Sequence, residues 1–301
     1  METMQAIDHT AKIIDGRQIA QHCQDKAKAA LQTLQTEHNL TPCLGVILVE
    51  GDPASEIYVS HKKKKAESLG IKSLITTLPA DSTADDIANQ IEAWNEDDSV
   101  HGILLQLPLP PHIDSYALLQ MISPEKDVDG LHTINAGRLS WKANDGIVPC
   151  TPMGCLTLLE SEIKDFTGLH AVMVGSSNLV GRPMAQLLLQ KNCTISIAHS
   201  KTKDLKALTS QADILVVATG NPNLIRGDMV KPGAVVIDVG INRVDDGSNK
   251  IVGDVNFEEV SEIAGAITPV PGGVGPMTIT YLMINTINTA ARQSGVQPPL
   301  V

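Results

Sequence analysis

Apolar residues fall along this chain in two alternating patterns: short unbroken runs, and longer stretches in which they recur every three or four positions. Between residues 16 and 38, Ile19, Cys23, Ala27, Ala30, Leu31 and Leu34 form one helical stripe. Residues 44–49 are apolar without alternation, as expected of a strand buried on both faces. Asp52 then caps and Pro53 opens a helix that ends near Gly70, a residue suited to the left-handed C-terminal turn. Residues 71–78 read as a strand, and Ser82 or Thr83 caps a helix through Trp94. A second buried strand begins at Val100 and stops at Pro108, which cannot continue a ladder. A helix near residues 114–122 closes this βαβα series.

After Pro149 the pattern becomes that of a nucleotide-binding series. Thr151 is expected to cap and Pro152 to open a helix through Glu162. Strands are expected at residues 170–174, 193–198, 213–218 and 234–239, with a loop at 175–181 and a helix at 182–190. A Pro/Gly-dense segment at 268–276 precedes a last helix to about Arg292, whose apolar face includes Ile279, Leu282, Met283 and Ile287 and should pack back on the first domain. The expectation is an α/β fold with two domains around a cleft. Residues 1–150, completed by a C-terminal helix over 276–301, form a three-layer α/β domain. Residues 151–275 form a Rossmann-like NAD(P)-binding domain.

Composition narrows the possible partners. With 301 residues the chain can bury a large core, and a formal charge of −11 with a pI near 5.2 argues against nucleic acid or anionic membrane. Five cysteines without a C-x-x-C pair suggest neither a disulfide framework nor a zinc ribbon, so a reducing cytoplasm fits best. Residues 1–11 lack the apolar core of an export signal, and no run reaches membrane-spanning length. No metal is called for.

The candidate chemistry gathers where strands end. Tyr58 and Lys62 lie four apart, on one helix face just after a buried strand. Because Lys62 to Lys65 run together, a solvated face is the commoner reading of this stretch taken alone. Gln106 is the last polar side chain before the proline stop, and the loop from Pro124 to Gly130 carries three acids, of which one can serve a ligand. The loop from Gly175 to Gly181 departs from the strict dinucleotide fingerprint, yet it retains a glycine at the strand end and a helix start to face a pyrophosphate. At the end of the next strand stand His199, Ser200, Lys201 and Thr202, with no acid for ribose hydroxyls, which favours NADP over NAD.

Seven segments in order resemble the bifunctional methylenetetrahydrofolate dehydrogenase/methenyltetrahydrofolate cyclohydrolase family. They are the Gly51-Asp52-Pro53 segment with Tyr58 and Lys62, residues 102–110, residues 124–130, Pro149-Cys150-Thr151-Pro152, residues 180–184, residues 199–202 and residues 271–278. The resemblance implies oxidation of 5,10-methylenetetrahydrofolate to the methenyl cation with NADP, then hydrolysis to 10-formyltetrahydrofolate, in one-carbon metabolism and purine biosynthesis. It implies Lys62 as general acid/base, Gln106 holding Lys62, Tyr58 orienting the folate and Asp129 receiving the pterin edge, with Pro271 and Gly272 also on the substrate. It implies Gly175, Ser176, Ser177, Gly181, Arg182, Ser200, Lys201 and Ile241 on the cofactor, and a homodimer. One departure stands out: Ser176 occupies a position where the family often has arginine, so NAD use stays open. A dehydrogenase without the hydrolase, a regulatory binder without turnover and a shikimate-type dehydrogenase are the competing readings.

Overall fold

The computed structural model describes residues 11–243 and 251–299. The first ten residues, where no export signal is expected, and residues 300–301 of the expected C-terminal segment lie outside the described residues. In chain order the elements are β1 (Lys12–Ile13), α1 (Gly16–His38), β2 (Cys43–Val49), α2 (Pro53–Leu69), β3 (Lys72–Leu78), α3 (Ala84–Glu96), β4 (Gly102–Leu105), α4 (Ser115–Leu119) and α5 (Thr133–Trp141). There follow α6 (Cys150–Glu160), β5 (His170–Val174), α7 (Gly181–Gln190), β6 (Thr194–Ala198), α8 (Leu205–Thr209), β7 (Ile214–Val217) and β8 (Val235–Asp238). The last are β9 (Asn242–Arg243), β10 (Ile251–Val252), α9 (Phe257–Ser261), β11 (Ala266–Ile267) and α10 (Val274–Gln293). Two compact units result, one of Ala20–Cys150 with the chain from Thr278 onward, the other of the chain up to Ile19 with Thr151–Met277.

The first unit is built on a parallel sheet ordered β3-β2-β4. Central β2 is buried at all seven positions, which is why its sequence shows no alternation. Ile47 of β2 packs with Ile87, Ile91 and Trp94 of α3 and with Ile103 and Leu105 of β4. A Cβ on Gly45 would stand 2.7 Å from the Trp94 ring, so glycine there lets the indole lie on the sheet. The ends of α2 follow the sequence: the Asp52 carboxylate accepts from the N–H groups of Ala54 and Ser55, Pro53 fills the first turn, and Gly70 takes φ 94° at the exit. Thr83 rather than Ser82 caps α3, in a reciprocal pair with Asp86. Beyond β4, where the Leu107–Pro108 peptide is cis, the chain returns to set Asp127 beside Ile103 in a parallel bridge.

The second unit carries a six-stranded parallel sheet ordered β1-β11-β8-β7-β5-β6. Its core joins Val172 and Val174 of β5 to Leu215 and Val217 of β7 and Val236 of β8. From β5 the chain steps to β6 on one side and then back to β7 on the other. In open parallel sheets ligands bind at such a reversal, outside the carboxyl ends of the strands.

Several expectations are corrected. Lys12 and Ile13 pair with Ala266 and Ile267, so the segment ahead of Ile19 goes with the second unit and not with the domain expected over residues 1–150. The last helix starts at Val274, two residues before Pro276, because proline costs nothing in a first turn where its missing N–H has no partner to lose. The helix expected to be capped by Thr151 already begins at Cys150.

Candidate active site

The lysine run splits by direction once α2 is formed. Lys63 pairs with Glu67 on the surface, Lys65 donates to Gln24, and Lys62 turns to Gln106, with Nζ 2.8 Å from Oε1. Gln106 follows β4, its N–H bonded to Ile47 O, and its amide nitrogen donates to Leu107 O. That second bond fixes which end of the amide faces the lysine: the carbonyl oxygen, an acceptor. Burial holds the Lys62 ammonium below the ordinary lysine value, while the Asp129 carboxylate and then Cys150 pull the other way. Tyr58, one turn earlier on α2, is 41% exposed.

The three acids of the 124–130 loop have three different fates. Glu125 pairs with Arg138 at 3.0 Å on the surface. Asp127 is buried and accepts from the N–H groups of Leu131 at 3.1 Å and His132 at 2.8 Å and from Asn135 Nδ2 at 2.9 Å. Burial pushes its carboxyl up to about 6 in spite of these donors. Asp127 therefore ties the loop into a fixed turn, and Asp129 is the acid left half-exposed. Gly130 completes the turn at φ 73°, where a Cβ would meet Pro149 N at 2.6 Å.

Two further residues brace this neighbourhood, neither given a role by its sequence pattern. Cys150, buried, hydrogen-bonds the Asp129 side chain and Val128 O, and burial followed by the Asp129 charge raises its thiol far above the usual range. It stays protonated and is no nucleophile. Asn285 of α10 donates from Nδ2 to Val128 O at 2.9 Å and Val148 O at 3.1 Å, bracing the chain on both sides of Gly130. Only their distant sequence positions, brought together by folding, make them part of the site.

In the second unit the Gly175 turn sits at the end of β5. Gly175 has φ 120°, and a Cβ on it would stand 2.1 Å from Ala218 O; a Cβ on Gly181 would stand 2.2 Å from Gly175 O. Backbone thus packs on backbone at the strand reversal, leaving a shallow cradle that any side chain would fill. The Ser177 hydroxyl accepts from Val180 and Gly181 N–H, and Arg182 Nε donates to Ser176 O at 3.2 Å. Past β6, His199 and Thr202 close a tight turn that leaves Ser200 and Lys201 exposed, and Ile241 past β8 is 52% exposed. These residues fit a dinucleotide: a glycine cradle, hydroxyls and an exposed cation for a phosphate. Pro271 and Gly272 belong to this same unit, in the turn ahead of α10, where Gly273 N–H returns to Pro269 O. Among the described residues no group of three or more His, Cys, Asp or Glu gathers in a way that could hold a metal.

The class that emerges is an α/β enzyme with a desolvated lysine in one unit and a dinucleotide-type parallel sheet in the other. The chain belongs to the tetrahydrofolate dehydrogenase/cyclohydrolase family, whose catalytic-domain model matches residues 14–129 and whose NAD(P)-binding-domain model matches residues 149–294. It is 51% identical to the bifunctional protein FolD of Rhodospirillum centenum over 297 residues, covering 96% of this chain and 97% of that one. The crystal structure of the bifunctional methylenetetrahydrofolate dehydrogenase/cyclohydrolase FolD from Campylobacter jejuni superposes with a TM-score of 0.91 at 48% identity, over 94% of this chain and 99% of that one. The Trypanosoma brucei enzyme complexed with NADP and an inhibitor superposes with a TM-score of 0.90 at 37% identity, over 94% of this chain and 98% of that one.

Proposed function

We propose that the protein oxidises 5,10-methylenetetrahydrofolate with NADP and hydrolyses the resulting 5,10-methenyl cation to 10-formyltetrahydrofolate, both in one-carbon metabolism. The observation that carries this reading is the Lys62–Gln106 hydrogen bond at the carboxyl ends of parallel strands, in a chain whose relatives carry both activities over their whole length.

Gln106 accepts one Lys62 hydrogen, which leaves the amine lone pair to be aimed elsewhere. A lysine lowered by desolvation has a usable neutral fraction closer to pH 7, so Lys62 can take a proton from water as its oxygen bonds to the cationic carbon. The resulting ammonium returns a proton to the folate nitrogen that leaves as the ring opens, and the hydroxyl proton departs to solvent as the formyl C=O forms, so that one proton is released overall. Asp129 opposes this loss of charge on Lys62 and, half-exposed, can accept paired hydrogen bonds from the amidine edge of the pterin. Tyr58 offers an exposed ring face for the folate. When bound, the nicotinamide accepts the hydride; the protein's share of that step is positioning, since the folate nitrogen lone pair itself stabilises the cation.

Gly175, Ser176, Ser177, Gly181, Arg182, Ser200, Lys201 and Ile241 are assigned to the cofactor, and Pro271 and Gly272 to the substrate. Exposed Ser200 and Lys201 support NADP, and Ser176 supplies a hydroxyl where a charge is common. The retained Lys62–Gln106 pair argues against a dehydrogenase lacking the hydrolase. A cytoplasmic homodimer serving purine synthesis completes the reading.

The test follows absorbance when purified protein meets 5,10-methylenetetrahydrofolate with NADP or NAD. Methenyl formation with NADP and accelerated loss of the methenyl band are expected. No methenyl product with either cofactor would end the enzyme reading.

A further inference from the structure

Two buried carboxylates in the second unit pair with no cation among the described residues. Asp238, at the end of β8, is 4% exposed and Asp254, after β10, is fully buried. Instead of ion pairs they collect backbone and amide donors from three loops at the carboxyl edge of the sheet. Asp254 Oδ2 accepts from Thr219 N–H at 2.6 Å, the Thr219 hydroxyl at 3.0 Å and Gly220 N–H at 3.0 Å, all just past β7. Its Oδ1 accepts from Asn242 Nδ2 at 2.9 Å. Asp238 accepts from Gly240 N–H at 2.9 Å and from the N–H groups of Asp254 at 3.0 Å and Val255 at 2.9 Å.

The glycines around them are dictated by this clamp. A Cβ on Gly253 would fall 1.7 Å from Asp238 Oδ2, and one on Gly240 2.4 Å from the Asp254 carboxyl carbon. Burial pushes the Asp238 carboxyl up to about 7 despite its three donors, with the Asp254 charge adding to the rise. Such a site is costly to build for stability alone, because burying charge is disfavoured even where hydrogen bonds satisfy it. What it fixes is telling. Ala218, which precedes the clamped Thr219, forms the wall against which the Gly175 turn packs, and Ile241 lies between clamped Gly240 and clamped Asn242.

We infer that Asp254 and Asp238 are positioning residues for the dinucleotide: Asp254 holds the loops after β7 and β8 in register with each other at the strand reversal, and Asp238 holds the backbone of Asp254. The inference rests on the reading of this unit as the NADP site. Neither carboxylate touches the reacting atoms; both act through Thr219, Gly220 and the Gly240–Asn242 loop.

The experiment compares wild type with Asn242→Ala, which removes only one arm of the clamp, and with Asp254→Asn, which keeps volume but turns an amide donor toward Asn242. For each, NADPH binding is titrated by fluorescence, NADP KM and kcat are measured, and hydrolysis of supplied 5,10-methenyltetrahydrofolate is followed without cofactor. Asn242→Ala should raise NADP KM about tenfold or more, the scale of one lost hydrogen bond to a charged group. Asp254→Asn should raise it further, with kcat changed much less than KM and hydrolysis within about twofold of wild type. NADP KM unchanged in Asn242→Ala overturns the inference, and so does a fall in hydrolysis matching the loss of binding, which would mark general destabilisation. Should Asp254→Asn fail to fold, Asn242→Ala alone decides. Wild type that fails to bind NADPH at all refutes the NADP reading instead.

Discussion

Replacing Lys62 by methionine keeps length and apolar stem and removes the one proton-carrying atom. In the structure it deletes the Nζ to Gln106 Oε1 bond and leaves that oxygen short of a donor, a cost of roughly 1–3 kcal/mol if no water reaches it. It also removes a partly desolvated ammonium and adds apolar surface worth about 0.8 kcal/mol per buried methyl-sized group, so net stability should move by about 1 kcal/mol or less. General acid/base catalysis typically contributes 10²–10⁴-fold, about 2.7–5.4 kcal/mol of barrier. The chemical effect thus exceeds the stability effect by a wide margin. Cyclohydrolase turnover, read as decay of the methenyl band above the buffer rate, should drop by about 10²–10⁴-fold. The dehydrogenase, read as NADPH formation, should stay within about tenfold, because positioning and not proton transfer carries it. In wild type the hydrolysis rate should rise with pH and level off below the ordinary lysine value of about 10.4, as expected for a neutral amine acting as base with its pKa lowered by burial. A variant retaining both activities at wild-type rates refutes the role given to Lys62.

Asp129→Asn should raise the folate KM about tenfold or more, the worth of a charge-assisted pair, in steady-state assays at fixed NADP. Lys201→Ala should weaken NADP about tenfold while leaving NAD nearly unchanged, and Ser176→Arg should shift preference toward NADP; equal effects on both nucleotides would remove these residues from the 2′-phosphate. For Asp127 the folded carboxyl, at about 6, lies above the ordinary value of about 3.9, so the folded chain holds a proton that the unfolded chain releases between those values. Its contribution to stability therefore falls as pH rises from about 4 to about 6, and the difference in urea unfolding between wild type and Asp127→Asn should carry that slope.

The elements legible in the sequence were those with whole periods to display. β2 and α2 announce themselves through an unbroken apolar run, an aspartate cap, a proline and a closing glycine, and each device does in the structure what its chemistry suggests. β1 and β11 are two residues long and α8 and α9 five, too short for any period. α5 escapes for another reason: of its apolar residues Ile134 and Trp141 face solvent, and it is held by Asn135 and Leu139, which make no stripe. At the site, Lys62 and Tyr58 were visible from helical spacing and Gln106 from the proline stop, while the pairing of Lys62 with Gln106 was an expectation from family likeness. Asp127, Cys150 and Asn285 were not visible in these roles because each acts through a partner far away in sequence or through a burial that no local pattern encodes.

Asn285 has a further implication for how the protein is made. The carbonyls it braces, on Val128 and Val148, leave the ribosome long before the asparagine does. At about 5–20 residues per second, the interval is on the order of ten seconds. Through that time the segment bearing Asp129 is synthesised but not braced, while β5 to β8 can already assemble. The unit that holds β2, β3 and β4 is thus synthesised early and finished late, and the turn at Gly130 is braced only once α10 has been made.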